Sequence, residues 1–215
     1  TEEKEIVIIS TNDIHGRIEQ FSKLATFVKR IKEEHPNVIL VDAGDRFTGN
    51  PYVDHAKEKG FPIISLMNDL GYEVGTLGNH EFDFGQKILR ARINDATFPI
   101  ICANINSSQG ELDSIPPYHI IEKDGIKLGF ISFVQTETDQ IPSTNPERLK
   151  DITFDHYLDK VEDYKPLKRQ CDVLIGLAQL GVDKDSILAT QMPELDIIIG
   201  GHTHTLLETT KEINS

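Results

Sequence analysis

The sequence predicts a single α/β domain with mixed sheets, and three observations carry that expectation. Short apolar runs alternate along the chain with stretches of helical periodicity. The apolar runs are strand-sized, and polar, glycine-bearing loops bound them. One pair of runs is separated by Lys123-Asp124-Gly125. Asp-Gly between apolar runs signals a hairpin, so an antiparallel pair enters an otherwise strand–helix–strand chain.

Taken in order, Glu5 to Ser10 (EIVIIS) reads as a first buried strand, followed by the polar stretch Thr11 to Arg17. Phe21, Leu24, Ala25, Val28 and Ile31 recur at helical spacing, and His35-Pro36 stops that helix. Asn37 to Asp42 (NVILVD) is a second strand, and Ala43 to Gly49 a loop after it. A helical region from Val53 to Leu70 is interrupted near Gly60 and Pro62. Tyr72 to Leu77 is a third strand, with a polar turn from Gly78 to Asp83 feeding a helix through Ala96. Phe98 to Ala103 makes a fourth strand, and Tyr118 to Glu122 and Ile126 to Val134 form the hairpin. Thr136 to Lys150 is a proline-punctuated loop. Phe154 to Gln170 reads as helix, Asp172 to Ala178 as strand, Lys184 to Gln191 as helix and Leu195 to Ile199 as a last strand. No repeat, low-complexity tract or composition shift marks a linker.

Composition narrows the function. Among 215 residues, 35 acidic side chains against 22 basic ones leave a formal charge of −13. A surface for duplex nucleic acid needs clustered cations to displace counterions from phosphate, and this balance argues against one. No apolar run is long enough for a transmembrane span. Thr1 to Lys4 runs straight into a strand, without a leader peptide in view. Cys102 and Cys171 belong to no CxxC pair and read as free thiols at strand edges, with a disulfide between them left open.

The unusual polar residues fall at strand ends. Asp13 and His15 follow the first strand, Asp45 the second, Asn79 and His80 the third, Gln179 a later one, and His202 and His204 the last. Sites of open α/β sheets form at the carboxyl ends of strands, where loops distant in sequence converge. Carboxylates, imidazoles and carboxamides make a mixed N/O ligand set suited to Zn, Mn or Fe. Gly16, Gly44, Gly78 and Gly200-Gly201 adjoin these residues, and glycine permits sharp turns and close approach to an ion or phosphate. None matches a P-loop or dinucleotide fingerprint. Taken singly, an Asp-x-His or a Gly-His-x-His is commonly a loop feature; five strand ends together are not. His35, His55, His119 and His156 lie in helical or hairpin contexts and receive no role.

These residues carry a family resemblance. Thr11-Asn12-Asp13-Ile14-His15-Gly16, Asp42-Ala43-Gly44-Asp45, Leu77-Gly78-Asn79-His80-Glu81-Phe82-Asp83 and Gly201-His202-Thr203-His204 resemble, in order, the motifs of the calcineurin-like metallophosphoesterases. The TNDIHG and GNHEFD forms are similar to the 5′-nucleotidase branch. The resemblance implies a four-layer α/β/β/α sandwich and two divalent ions. Asp13, His15, Asp45 and His204 would hold the first, and Asp45 would bridge to a second held with Asn79 and His202. In the family pattern a histidine of a Leu-Ser/Thr-His-Leu-Gly segment completes the second site. Here the segment reads Leu177-Ala178-Gln179-Leu180-Gly181, and Gln179 offers only a neutral amide oxygen. His80 would protonate the leaving oxygen, with Asp83 fixing its tautomer. Its bland alternative is a histidine that only supports the site. Arg46 is open to two readings, a phosphate contact or a surface ion pair.

The resemblance thus implies a dinuclear phosphoesterase acting on small phosphomonoesters, 5′-nucleotides among them. Two alternatives stand beside it: a metal-deficient, weakly active or non-catalytic member because of Gln179, and a cyclic-nucleotide phosphodiesterase. It further implies an extracytoplasmic setting. Residues 1–215 are expected to form one catalytic domain without the family's last strands or its nucleoside-gripping C-terminal domain.

Overall fold

The computed structural model describes residues 3–213. Thr1 and Glu2, on which part of the leader reading falls, and Asn214 and Ser215 at the other end lie outside the described residues.

A parallel sheet is built from β1 (Val7–Thr11), β2 (Val38–Asp42), β3 (Val74–Thr76) and β4 (Ile100–Ile101), in that spatial order. Between these strands run α1 (Phe21–Glu34), the single turn α2 (Pro51–Asp54), α3 (Phe61–Leu70) and α4 (Gln86–Asp95). β5 (Ile105–Asn106) pairs antiparallel with β8 (Thr153–Phe154) as a small separate ribbon. The second sheet uses β6 (Tyr118–Lys123), β7 (Ile126–Val134), β9 (Val173–Gln179) and β10 (Ile197–Gly200), in the order β10-β9-β7-β6. Only its β6–β7 pair is antiparallel. The last helices are α5 (Val161–Tyr164) and α6 (Val182–Gln191).

Side-chain alternation along the strands generates four layers. In β2, Val38 and Leu40 face α1, α3 and α4, packing with Phe21, Val28, Ile63, Met67 and Leu89. Ile39 and Val41 face the other way, against Phe130, Ile175 and Leu177 of the second sheet. The far side of that sheet, with Ile131, Phe133 and Leu174, meets Leu188 of α6, Met192 just after it, and Val161 of α5. Each sheet is therefore apolar on both faces, which is why its strands read as near-continuous hydrophobic runs. The α/β/β/α sandwich and the mixed sheet expected from the sequence are both present. At the hairpin, Asp124 and Gly125 have φ of 53° and 75°, the two positive values of a type I′ turn.

Two details differ from expectation, and the reading of the two cysteines as free thiols holds. Phe154 to Gln170 is not one helix: Phe154 lies in β8, and Tyr157 to Gln170 splits into two 3₁₀ segments around α5. Pro166 has no N–H to continue an α-helical ladder, which fits the break. The strand expected over Phe98 to Ala103 shrinks to β4, because the Ala103 N–H already bonds Ser132 O of the other sheet. Cys102 and Cys171 are both free, the first buried and the second half-buried.

Candidate metal centre

The carboxyl ends of β1, β2 and β3 meet those of β9 and β10, because the two sheets stack with their parallel strands sharing one functional edge. The junction is explicit in hydrogen bonds. His202 N–H donates to both oxygens of Asp13, at 3.1 and 2.9 Å, and Gln179 Nε2 donates to Asp13 Oδ1 at 2.9 Å. Asp13, His15, Asp45, His202 and His204 all have positive φ, between 48° and 83°. Non-glycine residues rarely adopt that region, and such backbone tends to collect at functional sites.

Two groups of three side chains have ligand atoms all within 4.8 Å of one another: Asp13, His15 and His204, and His15, Asp45 and His80. In the first, His15 Nδ1 donates to Thr48 O at 3.0 Å, so the neutral ring carries its lone pair on Nε2. That atom lies 3.3 Å from His204 Nε2, which is 3.5 Å from Asp13 Oδ1. A carbonyl on the far nitrogen is the usual way to orient a ligating histidine. Asn79 is oriented similarly: its Nδ2 donates to Ser143 O at 3.0 Å, which leaves Oδ1 as an acceptor. Burial pushes the pKa of His202 down, with the charge of Asp13 working against it, so burial favours the neutral, ligating imidazole.

Asp45 is buried, and its carboxyl is pushed up to about 7, first by desolvation and then by repulsion from Glu81. A nearby cation reverses such a shift. Glycines leave the room: a Cβ on Gly78 would collide with Asp45 Oδ1, and one on Gly201 with Gln179 Oε1 and, at 3.0 Å, Asp13 Oδ2. The donor chemistry, the backbone cradle and the facing imidazole nitrogens fit divalent cations. Gln179 fits least well. Its side chain presents a donor to Asp13, while Oε1 is buried without a hydrogen-bond partner.

Beside the centre, His80 Nδ1 is 2.7 Å from Asp83 Oδ2. That hydrogen bond, opposed by partial burial, pushes the pKa of His80 up to about 9. Burial favours protonation of Asp83, but hydrogen bonds from His80, Thr48 and Thr144 outweigh it and hold the carboxyl below its usual range.

Arg46 follows neither reading open to it. It is 1% exposed, donates from Nη2 to Thr76 O at 2.7 Å and lies 3.5 Å from Asp42 Oδ1 and 3.7 Å from Glu81 Oε1. It is a buried structural cation.

Sequence reasoning gave no role to Glu81, which is fully buried and accepts N–H bonds from Asp45 (2.9 Å), Arg46 (2.7 Å) and Gly78. The loop carrying Asp45 is thereby tied to the loop carrying Asn79 and His80. Its only signal was an acidic residue enclosed in GNHEFD.

The family model for calcineurin-like phosphoesterases matches residues 6–206. The chain belongs to the calcineurin-like phosphoesterase family. Among curated members it is 32% identical over 235 residues to a snake venom 5′-nucleotidase of Naja atra, covering 95% of this chain and 42% of that protein. It is 32% identical over 244 residues to the trifunctional nucleotide phosphoesterase protein YfkN of Bacillus subtilis, covering 93% of this chain and 16% of that protein. Among solved structures it superposes on a 5′-nucleotidase precursor of Thermus thermophilus with a TM-score of 0.85 and 26% identity, over 95% of this chain and 43% of that one. The chain thus spans less than half the length of each of these relatives.

Proposed function

We propose that this chain is the catalytic module of a metal-dependent phosphoesterase that hydrolyses small phosphomonoesters, 5′-nucleotides among them. Asp13, His15 and His204 would hold one divalent ion, and Asn79 and His202 a second, with Asp45 shared between them. Bound there, Zn, Mn or Fe would supply Lewis-acid charge to phosphoryl oxygens and acidify an attacking water. The chain's own contribution to proton transfer is His80. Asp83 accepts its Nδ1–H, so the proton available to a leaving alkoxide sits on Nε2. The buried Asp45 and Asp13 concentrate negative charge where cations would bind, and Glu81 holds the loops that present them.

The observation that carries this reading is the convergence of Asp13, His15 and His204, from opposite ends of the chain, beside the His80–Asp83 pair. Metal analysis of protein purified without chelator, coupled to hydrolysis of p-nitrophenyl phosphate and of AMP, tests it. Asp45→Asn is expected to abolish turnover and loosen both ions. Wild-type turnover with full metal content in that variant refutes the two-ion reading.

Gln179 favours a second reading, in which the second ion binds weakly, since its amide donates to Asp13 and its unpartnered Oε1 is a neutral amide oxygen, a weaker ligand than imidazole. A nucleotide substrate and an extracytoplasmic setting are supported by the relatives named as 5′-nucleotidases, one of them a venom protein. Among the described residues no helix is long and apolar enough to cross a membrane.

A further inference from the structure

The geometry points to Thr48 and Thr144 as positioning residues that lock the His80–Asp83 pair to both sets of proposed metal ligands, an inference that rests on the function proposed above. Asp83 is the junction. Its Oδ2 accepts from His80 Nδ1 at 2.7 Å and from Thr48 Oγ1 at 2.6 Å, and its Oδ1 accepts from Thr144 Oγ1 at 3.0 Å. Each threonine also stands at a carbonyl that orients a ligand. Thr48 O takes the Nδ1–H of His15 at 3.0 Å, and Ser143 O, one residue before Thr144, takes the Nδ2–H of Asn79 at 3.0 Å. One short path therefore runs from His80 through Asp83 and Thr48 to His15. The other runs through Asp83, Thr144 and Ser143 to Asn79.

The backbone of Thr48 supports this. A β-branched residue at φ 66° is an outlier that surrounding structure must hold in place. That conformation accompanies a carbonyl turned to His15 and a hydroxyl turned to Asp83. Deprived of either hydroxyl, the Asp83 carboxylate gains freedom to rotate and takes the His80 ring with it. Displacement of a proton donor by about 1 Å is enough to lower turnover on the order of 10²-fold.

The test uses Thr48→Val and Thr144→Val, which remove the hydroxyl at nearly constant shape, with Thr48→Ser and Thr144→Ser as rescues. For an alkyl phosphomonoester such as glycerol 2-phosphate, whose alkoxide must be protonated as it leaves, with saturating Mn²⁺, each valine variant is expected to lose roughly 10- to 100-fold in kcat with KM within about 3-fold, and each serine variant to recover most of it. A second readout needs no turnover. In ¹⁵N-histidine-labelled protein, the His80 Nδ1–H resonance, assigned by its absence in His80→Asn, should be sheltered from solvent exchange in the wild type and in the serine variants. It should be lost in the valine variants. Unchanged kcat with a retained resonance in both folded valine variants overturns the inference, as does a serine variant as impaired as its valine counterpart. If Thr48→Val does not fold, Thr144→Val decides on the same two readouts. A wild type without metal-dependent hydrolysis overturns the phosphoesterase reading instead, and the resonance then decides the positioning alone.

Discussion

Replacing Glu81 by glutamine tests how the centre is held together. The carboxylate is fully buried, with Oε2 accepting the N–H groups of Asp45 and Gly78 and Oε1 that of Arg46. An amide has one acceptor oxygen. Whichever way it sits, its NH₂ faces at least one backbone N–H, and a buried donor left unpaired costs about 1–3 kcal/mol. Arg46 also loses one of the two carboxylates near it, keeping Asp42 at 3.5 Å, and breaking a buried ion pair costs ~3–5 kcal/mol when no other partner remains. Relief of the repulsion between Glu81 and Asp45 works the other way. The unpaired donor and the weakened guanidinium contact outweigh it, and the net expectation is a loss of about 3 kcal/mol. For a chain of this size that lowers Tm by roughly 6–12 °C. Urea unfolding in the presence of chelator measures the loss without the stabilisation that bound metal adds. Calorimetric titration with Mn²⁺ should then show affinity weakened at least about 10-fold, since a misplacement worth ~1.4 kcal/mol suffices for that. An unchanged urea midpoint refutes the clamp. Lost stability with wild-type metal affinity would make Glu81 a core residue that does not position the ligands.

Three further expectations follow from the same geometry. His80→Asn should keep its metal while turnover falls by roughly 10²–10⁴, as for a lost general acid; because His80 groups with His15 and Asp45, loss of metal in this variant would reassign it as a ligand. Gln179→His, at a fully buried position, should tighten the second ion and raise activity at limiting metal, and equal calorimetric affinity in both proteins would show that position 179 does not serve the ions. Asp185 is pushed from its ordinary 3.8 up to about 7 by burial, so its ionised form costs stability above pH 7 and the cost fades as pH falls toward 4. That gap corresponds to ~4 kcal/mol at most and to about 2 kcal/mol after structural relaxation. Asp185→Asn should therefore raise Tm more at pH 8 than at pH 4.5, and a pH-independent change would show that the carboxylate has a compensating partner.

The sequence alone made the layers legible and supplied the candidate residues of the proposed centre. Strands buried on both faces need apolar residues at nearly every position, so β2, β7 and β9 announced themselves as runs. The Asp-Gly pair marked the hairpin because it favours the type I′ turn that such a loop adopts here. Asp13, His15, Asp45, Asn79, His80, His202 and His204 were legible because polar residues at strand ends stand out against those runs. The same local logic read Phe154 to Gln170 as one helix and missed the β5–β8 ribbon, whose partners lie far apart in the chain. Only the tertiary structure decided what each polar group touches. Gln179 meets Asp13 across 166 residues, Glu81 closes onto Asp45 across 36, and Thr48 reaches Asp83 across 35. Arg46, expected at a phosphate or on the surface, is buried because two carboxylates and a carbonyl surround it. Hydrogen bonds and ion pairs are directional and act over a few ångströms. Their partners are set by where the packed sheets bring loops together, and residue type and spacing do not encode that.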